Sequence, residues 1–201
     1  MNAREAIAAR RSIRRFNSDP IPDDALHAIL TAGIQAPSGK NKQPWHFVVV
    51  TGEQRAEMVR VMRQGMATLE AQGVGTGSAK WSAGVMEQAP VTVFVFNPDG
   101  LTPWQPHTML QLFTETVDVQ SAGAAIQNML LAALDLGIGS LWICDVFFAY
   151  EGLRKWLGEE GQMIAAVAFG YPAEAPAARP RKPVSEVTRW FGGQQSKENS
   201  R

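Results

Sequence analysis

Four short runs rich in apolar residues constrain the fold of this chain more than any other feature. Glycine or proline turns border several of these runs, and short apolar runs bounded in this way predict β-strands. Segments with helical spacing of apolar residues separate them, so the 201 residues are expected to form one α/β domain or a compact two-layer α+β domain. The predicted strands are His46–Val50, Val91–Phe96, Leu141–Ile143 and Met163–Phe169.

The segments between the predicted strands carry the signals of helices. The longest helix is expected over Val117–Leu136, where small residues at 122–125 would let another backbone approach closely, in the centre of the fold or in a dimer interface. Gly137 is expected to end it. The other predicted helices are Glu5–Ala9, a segment after Pro22 that Asp23 or Asp24 caps and that ends near Gly33, and Glu53–Gln64.

The region from Gly65 to Gly84 has irregular signals, and Gly73, Gly75 and Gly77 lie close together in it. No strand precedes these glycines and no clear helix follows them. We therefore interpret them as a mobile lid segment rather than as part of a dinucleotide-binding fingerprint.

Composition excludes several classes of protein. With 45% hydrophobic and 19% charged residues, the chain is not disordered as a whole. Its 19 basic and 19 acidic residues balance, which gives no electrostatic footprint for nucleic acid or for an anionic membrane. The single cysteine, Cys144, excludes an intramolecular disulfide or a Cys-rich metal site, and three histidines give little support for a histidine-built one. We expect no metal site.

No linker or internal repeat is visible, so we expect a single domain over residues 1–193 and a polar, frayed tail over 194–201. The sequence shows no targeting segment, and its apolar runs are too short to span a bilayer. These features predict a cytoplasmic protein with a reduced thiol.

Basic residues cluster near the N-terminus as Arg10, Arg11, Arg14 and Arg15, with Ser12 among them. Guanidinium groups bind phosphate oxygens in a bidentate manner, and a serine hydroxyl adds a neutral donor. The same residues would also suit a solvated helix end, where arginines meet the C-terminal dipole. The cluster alone leaves both interpretations open.

A second polar segment lies immediately before the first predicted strand, over residues 37–45. It concentrates side-chain donors and acceptors where binding loops often lie. An ordinary helix-to-strand connection would use similar turn-forming residues, so this segment alone is also ambiguous.

Four motifs follow one another along the chain: RRSIRRF near the N-terminus, APSGKNKQPWHFVVV at the first strand, AAVAFGYP at the last strand, and RPRKPVSEV near the C-terminus. In this order they resemble the FMN-dependent nitroreductase family, over Arg4 to about Trp190. The resemblance implies an α+β nitroreductase-like fold, with a mixed, mainly antiparallel sheet flanked by helices. It also implies an intertwined homodimer with two FMN molecules at the subunit interface.

The resemblance implies a set of flavin ligands. Arg11 and Ser12 would face the phosphate, with Arg10 and Arg14 at the ribityl chain and the pyrimidine edge. Three further groups complete the implied set: Ser38 and Asn41 from the other subunit, Trp142, Ile143 and Cys144 against the ring with a backbone N–H at flavin N5, and Arg181 with its helper Arg179 at the phosphate.

The activity implied is FMN-dependent reduction of nitroaromatic, quinone or activated-alkene acceptors by NADH or NADPH, through a ping-pong mechanism. The flavin supplies the redox chemistry, so no catalytic side chain is assigned. Two alternatives stay open: a dehalogenase-like or flavin-destructase-like enzyme on the same scaffold, and a module that stores or senses FMN without turnover.

Several other residues are expected to be structural. Cys144 is interpreted as inert packing rather than as a nucleophile, and His46 as a satisfied structural histidine. Glu115 and Asp118 are interpreted as solvated or capping residues rather than as an acid–base pair. The two remaining expectations are that Arg55, Arg60 and Arg63 are exposed helix charges, and that Trp81, Trp104 and His107 line the acceptor pocket.

Overall fold

The computed structural model of this chain describes residues 1–192. A four-stranded sheet, in the order β1-β2-β4-β3, is antiparallel at every strand pair. A single parallel bridge, between Ser12 and Ser140, adds the N-terminal segment to its edge. The expected α+β class with a mainly antiparallel sheet is confirmed. The strands are β1 (His46–Val50), β2 (Val91–Asn97), β3 (Gly139–Ile143) and β4 (Gln162–Gly170).

Helices surround this sheet. Two short 3-10 helices, Gly39–Asn41 and Asp145–Ala149, lie in the connections. No helix among residues 1–192 is long and apolar enough to cross a bilayer. The expected tail over 194–201 lies outside the described residues. The helices are α1 (Ala3–Ala9), α2 (Asp23–Ile34), α3 (Gln54–Ala71), α4 (Ala79–Gln88), α5 (Met109–Asp135), α6 (Tyr150–Leu157) and α7 (Val184–Val187).

Hydrophobic cores lie on both faces of the sheet, so the molecule has three layers rather than two. All seven residues of β2 are buried, because its side chains alternate between the two faces of the sheet and a core covers each face. Phe94 and Phe96 pack with residues of α3, α4 and α6 on one face. Val93 and Val95 pack with residues of α2 and α5 on the other.

The predicted start of α5 and the predicted cap of α2 are wrong, although α2 begins directly after Pro22 as predicted. Helix α5 begins at Met109 rather than at Val117, and Thr108 caps it in a reciprocal hydrogen-bonded pair with Gln111. Helix α2 has Pro22 at its N-cap position with no side-chain cap, so neither Asp23 nor Asp24 has the predicted role.

The region expected to be irregular, Gly65–Gly84, is mostly helical. Helix α3 continues through Gly65 to Ala71, and α4 begins at Ala79. Gly65 lies in α3 because of a close approach: a Cβ there would lie 2.5 Å from the Cα and Cβ atoms of Ala149. The glycine permits α3 to pack on the segment after β3, and it does not break the helix.

We expect Gly65→Ala to lower the free energy of unfolding by about 1–3 kcal/mol, because the added methyl meets backbone that cannot yield easily. Gly84→Ala is the matched control, since a Cβ at Gly84 in α4 meets nothing within 4 Å. That control should raise stability by up to about 1 kcal/mol, through helix propensity alone. Urea denaturation of both variants measures the difference, and equal effects would contradict the packing explanation.

The N-terminal segment after α1 lies along the edge of β3. The Ile13 N–H donates to the Ser140 carbonyl at 3.0 Å, and Phe16 pairs with Pro172. The Ala173 N–H donates to the Arg15 carbonyl at 2.9 Å, which brings the C-terminal segment onto the same edge. Sequence near residue 12 and sequence beyond residue 172 therefore meet beside β3.

Candidate functional site

Arginines from the two ends of the chain line one cavity of about 420 Å³. α1 ends at Ala9, and the following segment lies along β3 with Ile13 buried in the core, while Arg10, Arg11 and Arg14 line the cavity. The C-terminal segment after Pro172 lies beside it and supplies the other basic residues. The predicted phosphate and flavin ligands in the lining are Arg10, Arg11, Ser12, Arg14, Arg179 and Arg181.

Positive charge in this cavity, which we call the arginine cavity, is not neutralised by the described residues. No ion pair within residues 1–192 involves any of its five arginines. Burial, followed by the charges of Arg181 and Arg11, lowers the pKa of Arg10. A bound anion with two negative charges would offset this repulsion.

Two of the arginines are held by the backbone. The Arg11 guanidinium donates to the carbonyls of Ala8 and Arg10 at 2.7 and 2.9 Å. That of Arg14 donates to the Ser12 carbonyl at 3.2 Å. Such contacts restrict the side chains before any ligand binds.

Arg15 differs from the other N-terminal arginines. It pairs with Glu174 at 3.3 Å and does not line the arginine cavity. Hydrogen bonds from the Arg14 N–H and from Arg15 lower the pKa of Glu174, which keeps this carboxylate charged. Glu174 therefore fixes the backbone of the motif, while the Arg14 side chain lines the cavity.

The end of β3 presents the residues predicted to lie against the flavin ring. Trp142 is 37% exposed, whereas Ile143 is 2% exposed in the core, so Ile143 could contact a ligand only through its backbone. Cys144 is exposed, and its interpretation as buried packing is wrong, because the strand ends at Ile143 and the chain turns outward. Partial desolvation, then the nearby charge of Asp145, raises the pKa of Cys144, which disfavours a nucleophilic thiolate.

The loop with Ser38 and Asn41 does not join the arginine cavity of its own chain. It packs against α5, where a Cβ on Gly39 would lie 2.5 Å from Val117. Ser38 Oγ accepts a hydrogen bond from the Gln43 N–H at 2.9 Å. The contribution of this loop to a flavin site of a partner subunit stays a prediction.

The same loop is strained and fixed by an ion pair. Lys40, Asn41 and Gln43 have φ angles of 53°, 55° and 53°, in the left-handed region that non-glycine residues rarely adopt. Lys42 Nζ lies 2.6 Å from Asp118 Oδ2, and this hydrogen bond raises the pKa of Lys42. Asp118 is 3% exposed, so its interpretation as solvated or capping is wrong.

Glu115 is buried one turn earlier on α5, again contrary to expectation. His107 Nε2 lies 2.9 Å from Glu115 Oε2, and the Leu101 N–H donates to Oε1 at 3.0 Å. These contacts fasten the loop between β2 and α5. His107 is therefore occupied by an internal contact rather than open to an acceptor.

The two tryptophans expected to line the acceptor pocket do not line the same cavity. Trp104 lines a separate cavity of about 860 Å³ between α3 and α6, with its ring centroid 4.8 Å from that of Tyr150. Trp81 is 81% exposed on α4 and does not line that cavity. That Trp81 contacts a bound acceptor stays a prediction.

The expectations for His46, Arg60 and Arg63 hold in the described contacts, whereas the expectation for Arg55 is wrong. His46 has a partner, Glu159, at 3.1 Å. Arg60 pairs with Glu57 and Arg63 with Glu87 on the protein surface. Arg55 is half-buried rather than exposed, because its guanidinium turns back to donate to the Glu87 carbonyl at 2.7 Å.

Asp145 is a residue that the sequence analysis missed. It directly follows Cys144, and its carboxylate accepts hydrogen bonds from Ser78 and Ser82 at 3.1 and 2.5 Å. The partners are more than sixty residues away in sequence, and no local motif indicates the contact. The anchoring role of Lys42 was missed for the same reason.

Comparison with known proteins agrees with this architecture. The model of the nitroreductase family matches residues 7–171. A candidate NADH dehydrogenase/NAD(P)H nitroreductase of Archaeoglobus fulgidus is 34% identical over 173 residues, which cover 84% of each chain.

Two solved structures have the same fold. One is a candidate nitroreductase of Desulfovibrio desulfuricans in complex with FMN, 29% identical, with a TM-score of 0.73 over 96% of this chain and 99% of that one. The other, a BluB-like flavoprotein from Clostridium difficile, is 26% identical, with a TM-score of 0.75 over 95% and 99% of the two chains. Because the family model spans most of the sequence and the fold agrees along nearly its whole length, this chain belongs to the nitroreductase family.

Proposed function

We propose that this protein is an FMN-dependent oxidoreductase that uses NADH or NADPH to reduce small, electron-poor acceptors. The observation that carries the proposal is the arginine cavity, where five guanidinium groups from both ends of the chain converge without a counter-charge among residues 1–192. A phosphate monoester carries nearly two negative charges and suits such a cluster. Relatives described as an NAD(P)H nitroreductase and as an FMN complex support the same cofactors.

The chain offers a place for each end of FMN. Arg11, Ser12 and Arg181 would hold the phosphate, while Trp142 and the Cys144 backbone would face the ring. Ser12 pairs with Ser140, and Cys144 lies four residues farther along, a separation of about 13 Å for an extended chain. When bound, FMN would supply the two-electron transfer between the nicotinamide and the acceptor. The described residues bind and orient it.

The proposed active unit is a homodimer with a flavin at each of two interface sites. The loop at Ser38–Asn41 does not line the arginine cavity of its own chain, which is compatible with the predicted contribution to the site of a second copy. The first turns of α5 support this arrangement, because they expose a large apolar surface that a partner would cover. Its exposed side chains are Met109 at 90%, Leu110 at 72%, Leu112 at 60% and Phe113 at 65%.

We further propose that the acceptors are nitroaromatics, quinones or activated alkenes, and that the kinetics are ping-pong. The arginine cavity would hold the phosphate, and its lining of arginines, a serine and apolar residues suits that task. The flavin itself would supply the redox chemistry at its ring, so one face of the ring would serve the nicotinamide and the acceptor in turn. Parallel lines in double-reciprocal plots at several acceptor concentrations would support this scheme, and intersecting lines would contradict it.

Purified protein should be yellow or should become yellow with added FMN, and NADH or NADPH should bleach it under anaerobic conditions. Absorbance at the flavin bands and steady-state turnover with a panel of nitro, quinone and alkene acceptors measure both steps. A colourless protein that refuses FMN overturns the proposal. Bound FMN without turnover would instead favour the storage or sensing module, and halide release or flavin fragmentation would favour the dehalogenase-like or destructase-like alternatives.

A further inference from the structure

Asp145 joins α4 to the end of β3. Its Oδ2 atom accepts hydrogen bonds from Ser78 Oγ at 3.1 Å and from Ser82 Oγ at 2.5 Å. Ser78 is the N-cap residue of α4, and Ser82 lies one turn farther along the same face. One carboxylate oxygen therefore holds the first turn of a ten-residue helix.

The charge of Asp145 is retained rather than neutralised. No ion pair within the described part of the chain involves Asp145. Its partners are two neutral hydroxyls at a helix N-terminus, where the partial positive charge of the helix favours an anion.

The charge of Asp145 changes the electrostatic potential at the end of β3. The carboxylate of Asp145 is one of the causes that raise the pKa of the adjacent Cys144. The same strand end carries Trp142, and α4 carries the exposed Trp81 one residue before Ser82. Asp145 therefore acts both on the position of α4 and on the electrostatic potential beside Cys144.

We propose that Asp145 is a positioning residue that latches α4 to the end of β3 and holds a negative charge beside the flavin ring. The second half of this inference rests on the proposed function, which places the ring at Trp142 and Cys144. Reduction adds negative charge to the flavin, so a fixed carboxylate nearby disfavours the reduced form and makes it a stronger electron donor. The two serines keep that carboxylate in place.

Asp145→Asn and Asp145→Ala separate the latch from the charge. In the wild type one oxygen accepts both hydroxyls, so the single amide oxygen of asparagine can do the same without the charge. Alanine removes both. Asp19→Asn is the matched control, because Asp19 is exposed and takes part in no ion pair within residues 1–192.

Hydrogen exchange of residues 79–88 tests the latch without any flavin. We expect faster exchange in the first turns of α4, by about tenfold or more, in Asp145→Ala and in the double variant Ser78→Ala/Ser82→Ala. In both variants the local unfolding of α4 costs less free energy. Asp145→Asn and Asp19→Asn should leave the exchange close to that of the wild type. Unchanged exchange in Asp145→Ala overturns the latch.

The flavin midpoint potential tests the charge. At a fixed potential, Asp145→Asn should raise the ratio of reduced to oxidised flavin by about three- to tenfold, or about 15–30 mV for a two-electron couple. Asp19→Asn should not change it. An unchanged or lower ratio in Asp145→Asn overturns the role of the charge. If no variant, including the wild type, binds FMN, the proposed function and the charge role both fail, while hydrogen exchange still decides the latch.

Discussion

Replacing Arg11 and Arg181 together by alanine should weaken FMN binding by about a hundred- to ten-thousand-fold. Each arginine would give a charge-assisted hydrogen bond to the phosphate, and such bonds contribute about 1.5–3 kcal/mol apiece. Two together amount to about 3–6 kcal/mol, and about 1.4 kcal/mol corresponds to a tenfold change in affinity. The two residues stand at opposite ends of the sequence, so the loss would also show that the termini build one site.

Quenching of FMN fluorescence on titration with apoprotein measures this loss. Arg60→Ala with Arg63→Ala is the matched control, since it removes the same charge from surface ion pairs with Glu57 and Glu87. Lysine at both test positions should give an intermediate affinity, because an ammonium lacks the planar fork. Unchanged retention of FMN in the alanine double variant would show that the phosphate binds elsewhere.

Strands β2 and β4 could be predicted closely from local sequence because they are short and mostly buried. The run Val91–Phe96 was placed within one residue of β2, and Met163–Phe169 within one residue of each end of β4. A continuous apolar run bounded by proline or glycine leaves few alternatives when both faces of the strand are covered. Strand order could not be predicted, because it depends on pairings such as Val91 with Phe169 and Asn97 with Gln162, which are 78 and 65 residues apart.

Helix boundaries failed where tertiary contacts override local signals. Gly65 indicates a break by propensity, yet α3 continues because the glycine permits contact with Ala149. The first turns of α5 have apolar residues that stay exposed in the described part of the chain, so no amphipathic pattern directed toward the core indicated them. The Thr108–Gln111 capping pair was the available signal.

The candidate site was predictable only in its local parts. The arginine motif near residue 12 and the basic pair near residue 180 were each visible in sequence, and the structure brings them into one cavity. Burial of Asp118 was not predictable, because its cation, Lys42, lies 76 residues away. A charged residue on a helix is usually solvated, and only a distant partner reverses that expectation.

Lys42→Met should lower the free energy of unfolding by about 2–4 kcal/mol, because it leaves a buried carboxylate without its cation. The Asp118 side chain is 4% exposed, and its other partner, Asn97 Nδ2, lies 3.4 Å away. The pKa of Lys42 is raised above its usual 10.5 by the Asp118 hydrogen bond. The stabilisation is therefore complete below about pH 10 and is lost as the pH rises through the folded-state pKa.

Urea denaturation at pH 7 and near pH 11 measures the difference between the wild type and Lys42→Met, and we expect this difference to shrink at the higher pH. Lys80→Met is the control: its ion pair with Glu70 is exposed, so it should change stability by less than about 1 kcal/mol. Adding Asp118→Asn to Lys42→Met should recover much of the loss, because the orphaned charge is removed. Without that recovery, the destabilisation would come from the lysine stem and the strained loop at residues 40–43 rather than from the buried charge.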